Sequence, residues 1–296
     1  MFRNLNPWAL GVTGHQSEII EAALTYGFRG MDVNITEFAT RVKLRGMPYA
    51  RRLIDSAKIR IGTFALPFDL EVEDEAFRRE LEKLAHFAQI ASEIGCTRCV
   101  ATIAPASDKR PYHENFEYHR WRIGEICKAL APSGVRFGIG FRAAEELRRS
   151  MAFEFVHDLD AVILLVNMVG APNLGLLLDV WDLYVSGGSV EKVRGLSGRQ
   201  IVAVRLADVP PEQPLAGLDE SARLVPGPGG QIDLAAVLAA LAQGGYEGPV
   251  TPLPSRKALD GARRDAAVRL VGDGLGRLWK AAGLSAEGRL LPAAAK

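Results

Sequence analysis

Gly27-Phe28-Arg29-Gly30-Met31-Asp32-Val33 and Gly245-Tyr246-Glu247-Gly248-Pro249-Val250 are two copies of one junction, near opposite ends of the chain. Each follows an amphipathic stretch. The first Gly suits the left-handed position just past a helix end. The aromatic then packs back on that helix, and the second Gly permits a tight entry into a short apolar run. Gly95-Cys96 before Val100 and Gly134-Val135 before Phe137 are looser copies.

Working outward from these junctions, the apolar runs give eight candidate strands: Ala9–Val12, Gly30–Ile35, Ile59–Pro67, Arg98–Pro105, Val135–Phe141, Leu174–Asp179, Ile201–Ala207 and Pro249–Leu253. Most do not alternate, as expected of parallel strands covered on both faces. Helical periodicity separates them at Ser17–Tyr26, Asp74–Ile94, Asn115–Leu130 and Asp233–Ala242, the last with Asp233 as its cap. Strand–helix alternation of this length predicts an α/β fold, a single (β/α)8 TIM barrel over residues 1–284 with a frayed tail at 285–296. No G-x-G-x-x-G follows the first strand, which counts against a dinucleotide-binding sheet. The Pro- and Gly-rich Asp208–Gly230 segment reads as a long loop at the working end of the barrel, not as a domain boundary.

The 296 residues are 48% hydrophobic and 24% charged, with net charge +1. That balance gives no electrostatic case for nucleic acid or a membrane surface. No apolar run reaches the roughly 20 residues a bilayer requires; Ala161–Ala171 reads as a buried helix, and Met1–Trp8 lacks the apolar core of a secretory leader. Three cysteines fit a reducing cytoplasm. Cys96-x-x-Cys99 enters a strand rather than a helix, so it reads as core packing, not redox chemistry.

In such a barrel the chemistry gathers where strands end. Asp32, Asp179, Asp182, Arg205 and Asp208 all fall there, with Arg142 just past the fifth strand, His113 in the fourth loop and Arg223 in the seventh. Arg142 reads equally as an anion binder or as a partner of Glu145 or Glu146. Trp181 and Tyr184 read equally as a sugar-site floor or as packing. His119 reads as a helix-surface residue. The Gly227–Gly230 stretch resembles a phosphate cradle only weakly, and a turn is the plainer reading.

Three stretches then carry a resemblance: Gly175-Leu176-Leu177-Leu178-Asp179-Val180-Trp181; Val204-Arg205-Leu206-Ala207-Asp208 followed by Arg223 and Gly227-Pro228-Gly229-Gly230-Gln231-Ile232-Asp233; and Gly244-Gly245-Tyr246-Glu247-Gly248-Pro249-Val250. With Gly62-Thr63-Phe64-Ala65-Leu66-Pro67, they make the chain similar to the sugar phosphate isomerase/epimerase family, the xylose isomerase-like barrels. The resemblance implies one divalent metal held by Glu, Asp, His and Glu at the ends of strands five to eight, the two Glu moving the proton. At those positions this sequence has Gly140, Asp179, Arg205 and Leu253 (or Pro252). The family His after the strand-six Asp is Asp182, and the loop Arg is kept as Arg223.

A guanidinium has no free lone pair and repels a cation. The reading is therefore a barrel that acts on or binds a small-molecule sugar or polyol without a metal, with Arg205 pairing Asp179 where the metal would stand. Asp179, Asp182 and Arg205 are its catalytic candidates. Arg223, Asp208, Arg142, His113, Trp181 and Asp32 are its binding candidates. A catalytically inactive barrel that binds a ligand or partner is the alternative, and a homo-oligomer is left open. A DNA-repair role is disfavoured by only five His residues and a near-neutral charge.

Overall fold

The structure, a computed structural model, describes residues 1–215, 217–227 and 229–292. In chain order it runs β1 Phe2–Leu5, α1 Gln16–Thr25, β2 Gly30–Met31, α2 Ile35–Arg45, α3 Met47–Ala57, β3 Arg60–Ile61, β4 Phe64–Ala65, α4 Asp74–Glu93, β5 Arg98–Thr102, β6 Ala106–Ser107, α5 Tyr112–Leu130, β7 Arg136–Gly140, β8 Phe153–Glu154, α6 Leu159–Val169, β9 Leu174–Asp179, α7 Val180–Val185, α8 Val190–Arg194, β10 Ile201–Leu206, α9 Leu234–Gln243, β11 Pro249–Pro252 and α10 Arg264–Ala281.

The main sheet has the order β3-β2-β1-β11-β10-β9-β7-β5-β4, and all its pairings are parallel. Its two outer members, β3 and β4, are consecutive in the chain. They are halves of one interrupted strand, so the sheet closes on itself as eight staves. The predicted (β/α)8 barrel is what forms. A two-stranded antiparallel ladder of β6 and β8 joins the loops above β5 and β7.

The first stave is not Ala9–Val12 but β1, whose Phe2 amide donates to the Gly248 carbonyl and so closes the barrel against β11. Ala9–Val12 instead turns at Gly11, whose φ is +65°, and forms the first loop over the mouth. The helices α2 and α3 fill the stretch after β2. Asn34 starts α2 by accepting the Glu37 amide at 3.2 Å, and Gly46, with φ +80°, turns the chain into α3. Helix α6 is only half sunk: Leu159, Val162 and Leu165 are buried, but Leu164 and Met168 are exposed.

The stretch expected to fray folds back as far as Leu291. Gly288 (φ +71°) makes the turn, the Ser285 amide donates to Arg289, and the Trp279 Nε1 donates to the Ser285 carbonyl at 3.0 Å. Residues 293–296 lie outside the described residues. No described helix is long and apolar enough to cross a membrane.

The core packs helices against the outside of the staves, and a small separate cluster of Val100, Leu177, Val202 and Ala203 fills the barrel itself. All three cysteines are buried. Burial pushes the Cys96 and Cys127 thiols up to about 12, which suits packing and not redox chemistry.

Candidate functional site at the mouth of the barrel

The parallel register sets Asp179 beside Arg205 and Arg205 beside Thr251, so these three share one level at the strand ends. Asp179 ends β9 and starts α7. Its Oδ1 accepts the Trp181 and Asp182 amides at 3.1 and 3.4 Å, which places Asp182 one turn on. Asp182 Oδ1 accepts the Ala143 amide at 2.8 Å and thereby ties the loop after β7 to α7.

The cation that meets these carboxylates is Arg223, not Arg205. Arg223 Nη1 donates to both oxygens of Asp179, at 3.0 and 2.9 Å, and Nη2 donates to Asp182 Oδ2 at 2.7 Å. The three side chains are 8%, 5% and 2% exposed. The guanidinium also lies 4.4 Å from the centre of the Trp181 ring. Trp181 is thus fully buried beneath Arg223 and does not floor an open site. Loop geometry explains why Arg223 arrives: Asp208 and Leu224 exchange backbone hydrogen bonds, and the Arg223 carbonyl accepts the Ser255 amide at 2.9 Å.

Burial, and then the Asp179 charge, push the Asp182 carboxyl up to about 7. Burial alone would lower the Arg223 pKa, but the Asp179 and Asp182 charges outweigh it and keep the cation charged.

The predicted Arg205–Asp179 ion pair does not form. Among the described residues Arg205 has no carboxylate within 4 Å and no hydrogen-bond partner. It is half-buried, its nitrogens open into the mouth, and it lines two cavities at once. One, of about 410 Å³, also has Asn6, Trp8, Asp32, Asn34 and Thr63 in its wall. The other, of about 290 Å³, has Arg142, Asp179, Asp182, Glu220, Arg223 and Arg256.

Asp32 faces Arg205 from the opposite side. Its Oδ1 takes three donors: Asn4 Nδ2 at 2.8 Å, the Thr63 amide at 2.9 Å and the Thr63 hydroxyl at 2.8 Å. Its Oδ2 has no hydrogen-bond partner among the described residues and is open to the cavity. Burial raises the Asp32 pKa against those hydrogen bonds.

The remaining sequence candidates divide. Arg142 lines the second cavity, but it pairs with Glu220, not with Glu145 or Glu146. Asp208 lines neither cavity. Its Oδ1 accepts the Val209 and Ile232 amides at 2.9 and 3.0 Å, and a side chain at Gly230 would collide with it, so it braces the long loop. His113 is exposed on the first turn of α5 and lines neither cavity. His119 is buried rather than on the surface, bonded to the Asn115 carbonyl at 2.9 Å and set 3.4 Å from Glu71. Of the Gly227–Gly230 stretch, Pro228 lies outside the described residues, and none of the glycines lines either cavity.

The site residue that the sequence reading missed is Arg256, in the loop after β11. Its guanidinium lies over Gly11, where a Cβ would stand 1.3 Å from Nη1. The signal was Gly11 itself, a residue without a side chain opposite a long cation.

The residues present do not fit a divalent metal. Gly140, Arg205 and Leu253 or Pro252 offer no side-chain lone pair for one. Asp179 is committed to Arg223. A Cβ on Gly140 would stand 2.8 Å from the Leu177 carbonyl oxygen, so that position is closed to a Glu. The described residues hold no group of three His, Cys, Asp or Glu that could take a metal.

Known proteins agree with this architecture. An inosose isomerase of Bacillus velezensis is 24% identical over 187 residues, 63% of this chain and 64% of that protein. A 3-dehydroshikimate dehydratase of Pseudomonas aeruginosa is 26% identical over 249 residues, 82% of this chain but 36% of that protein. The chain thus spans less than two thirds of either relative. A xylose isomerase domain protein from Alicyclobacillus acidocaldarius superposes with a TM-score of 0.86 at 24% identity, over 95% of this chain and 99% of that one. The xylose isomerase-like TIM barrel model matches residues 20–269, and the chain belongs to that family.

Proposed function

We propose that this chain binds a sugar or polyol at the barrel mouth and acts on it without the divalent metal that the resemblance implies. The observation that carries the reading is the commitment of both Asp179 oxygens to Arg223, with Arg205, which has no lone pair for a metal, at the neighbouring register position. Arg205 donates hydrogen bonds to substrate oxygens in place of a Lewis acid. Asp32 Oδ2, raised by burial, is the proton acceptor across the cavity. A donor cation facing a carboxylate base fits an enolisation, in which Asp32 takes the proton next to a carbonyl, Arg205 hydrogen-bonds the enolate oxygen, and Asp32 returns the proton from the same face. Asp179 and Asp182 orient Arg223 and shape the wall, and they are not general bases in this reading. The inosose isomerase and dehydratase relatives favour a polyhydroxylated substrate.

The test is metal content after exposure to manganese, magnesium and cobalt and removal of excess, joined to a sugar and polyol binding screen with Asp32→Asn and Arg205→Gln. No bound metal, and ligand binding lost in Arg205→Gln, is the expected result. Stoichiometric metal would overturn the metal-independent reading. A protein that binds no polyol but associates with another barrel would favour the inactive, partner-binding alternative.

A further inference from the structure

The smaller mouth cavity is lined by four arginines, Arg142, Arg205, Arg223 and Arg256, and by three acidic residues, Asp179, Asp182 and Glu220. Each carboxylate is already in contact with a cation: Asp179 and Asp182 with Arg223, and Glu220 with Arg142. Arg205 and Arg256 are left with no carboxylate within 4 Å among the described residues. Asp32 faces Arg205 across the other cavity without touching it. The part of the cavity wall to which Arg205 and Arg256 contribute, with Ala9, Leu253, Pro254 and Ser255, is therefore a cationic gap.

We infer that this gap is a subsite for a carboxylate, and that the substrate is a polyhydroxylated acid rather than a neutral sugar. The inference rests on the proposed polyol reading and adds the acid group to it. Two planar guanidiniums match the planar, singly charged carboxylate, and each can engage it through parallel N–H donors. Paired guanidiniums also take phosphate, but four arginines against three carboxylates leave one net positive charge in the wall, which a singly charged carboxylate balances and a phosphate dianion exceeds. Gly11 bears on the same arginine: a Cβ there would stand 1.3 Å from Arg256 Nη1 and force that guanidinium to move.

Calorimetric titration of the full chain at fixed ionic strength tests this with matched pairs: glucose and glucuronate, galactose and galacturonate, mannose and mannonate. Glucose 6-phosphate and succinate serve as further probes. The expected result is at least one pair in which the acid binds tenfold or more tightly than its neutral partner. In Arg205→Gln and in the surface variant Arg256→Gln, that advantage falls at least fivefold, with circular dichroism unchanged. Equal or tighter binding of the neutral member overturns the carboxylate subsite and leaves the polyol reading standing. Tighter binding of glucose 6-phosphate than of every acid overturns the carboxylate in favour of phosphate. Binding of succinate alone supports the carboxylate subsite and overturns the polyol reading, and binding of none of the probes overturns both.

Discussion

Replacing Arg223 with Met tests the central electrostatic claim. Met keeps the stem and its packing over Trp181 but removes the only cation in contact with Asp179 and Asp182 among the described residues. Both carboxylates are almost fully buried, and breaking such a pair from one side costs about 3–5 kcal/mol, because a charge is left without compensation. For a domain of this size, that corresponds to a fall in melting temperature of roughly 6–15 °C. The loss should depend on pH. Burial and the Asp179 charge already raise Asp182, and the variant removes the Arg223 charge that holds it down, so protonating Asp182 at about pH 5 should recover much of the stability that is missing at pH 8. Thermal unfolding followed by circular dichroism at the two pH values is the assay. A variant as stable as wild type, or one equally weakened at both pH values, would refute the argument that Arg223 is there to neutralise a buried acid pair.

Four further outcomes follow from the geometry. The Asp182 carboxyl is raised from 3.8 to about 7 in the fold, so its contribution to stability is complete below pH 4 and lost as pH rises through 7; Asp182→Asn should flatten that slope, at most about 1.4 kcal/mol per pH unit, in urea titrations. Lys58 holds a left-handed backbone, φ 51°, and Lys58→Gly should gain about 0.5–1 kcal/mol, the sign in denaturant melts being decisive. Asn4→Ala removes two buried hydrogen bonds, to Asp32 and Thr251, and should cost about 2–3 kcal/mol by the same measurement; a neutral result would mean these bonds contribute nothing net. Gly11→Ala should leave the fold intact yet weaken acidic ligands alone, and unchanged titration isotherms would show that Arg256 plays no part.

The barrel was legible because its signal is repeated: the Gly–aromatic–Gly junction and seven of the eight staves lie where the apolar runs put them. The first stave was missed because Phe2-Arg3-Asn4-Leu5 carries a charged and a polar residue, while Ala9–Val12 looks more apolar. Asn4 in fact turns into the barrel, where Gly30 and Gly62 leave it room. Helix α2 was overlooked although Asn34-Ile35-Thr36-Glu37 carries a recognisable cap. Position along a strand end put Asp32, Asp179, Asp182 and Arg205 at the barrel mouth, and there they line the two cavities. Partnership was not legible. Arg205 is Asp179's neighbour in register, but Arg223, 44 residues on, is its partner in space. Which Arg closes an ion pair depends on how a long loop folds back, and nearby residues do not encode that. His113 failed for the converse reason: a loop residue in sequence became the exposed first turn of a helix.

Asn4 has a consequence for how the chain reaches its native state. Its amide nitrogen bridges Asp32 at the end of β2 and Thr251 in β11, 247 residues away, across the seam where first and last staves meet. Neither half of the chain can satisfy that amide by itself, and the ordering cost of so long a closure comes before its reward. The seam should therefore be sealed late, as the step that commits the ring. Since Asp32 also faces the larger mouth cavity, a ligand held there would act as a clasp on that step, slowing reopening of the ring more than it speeds closure.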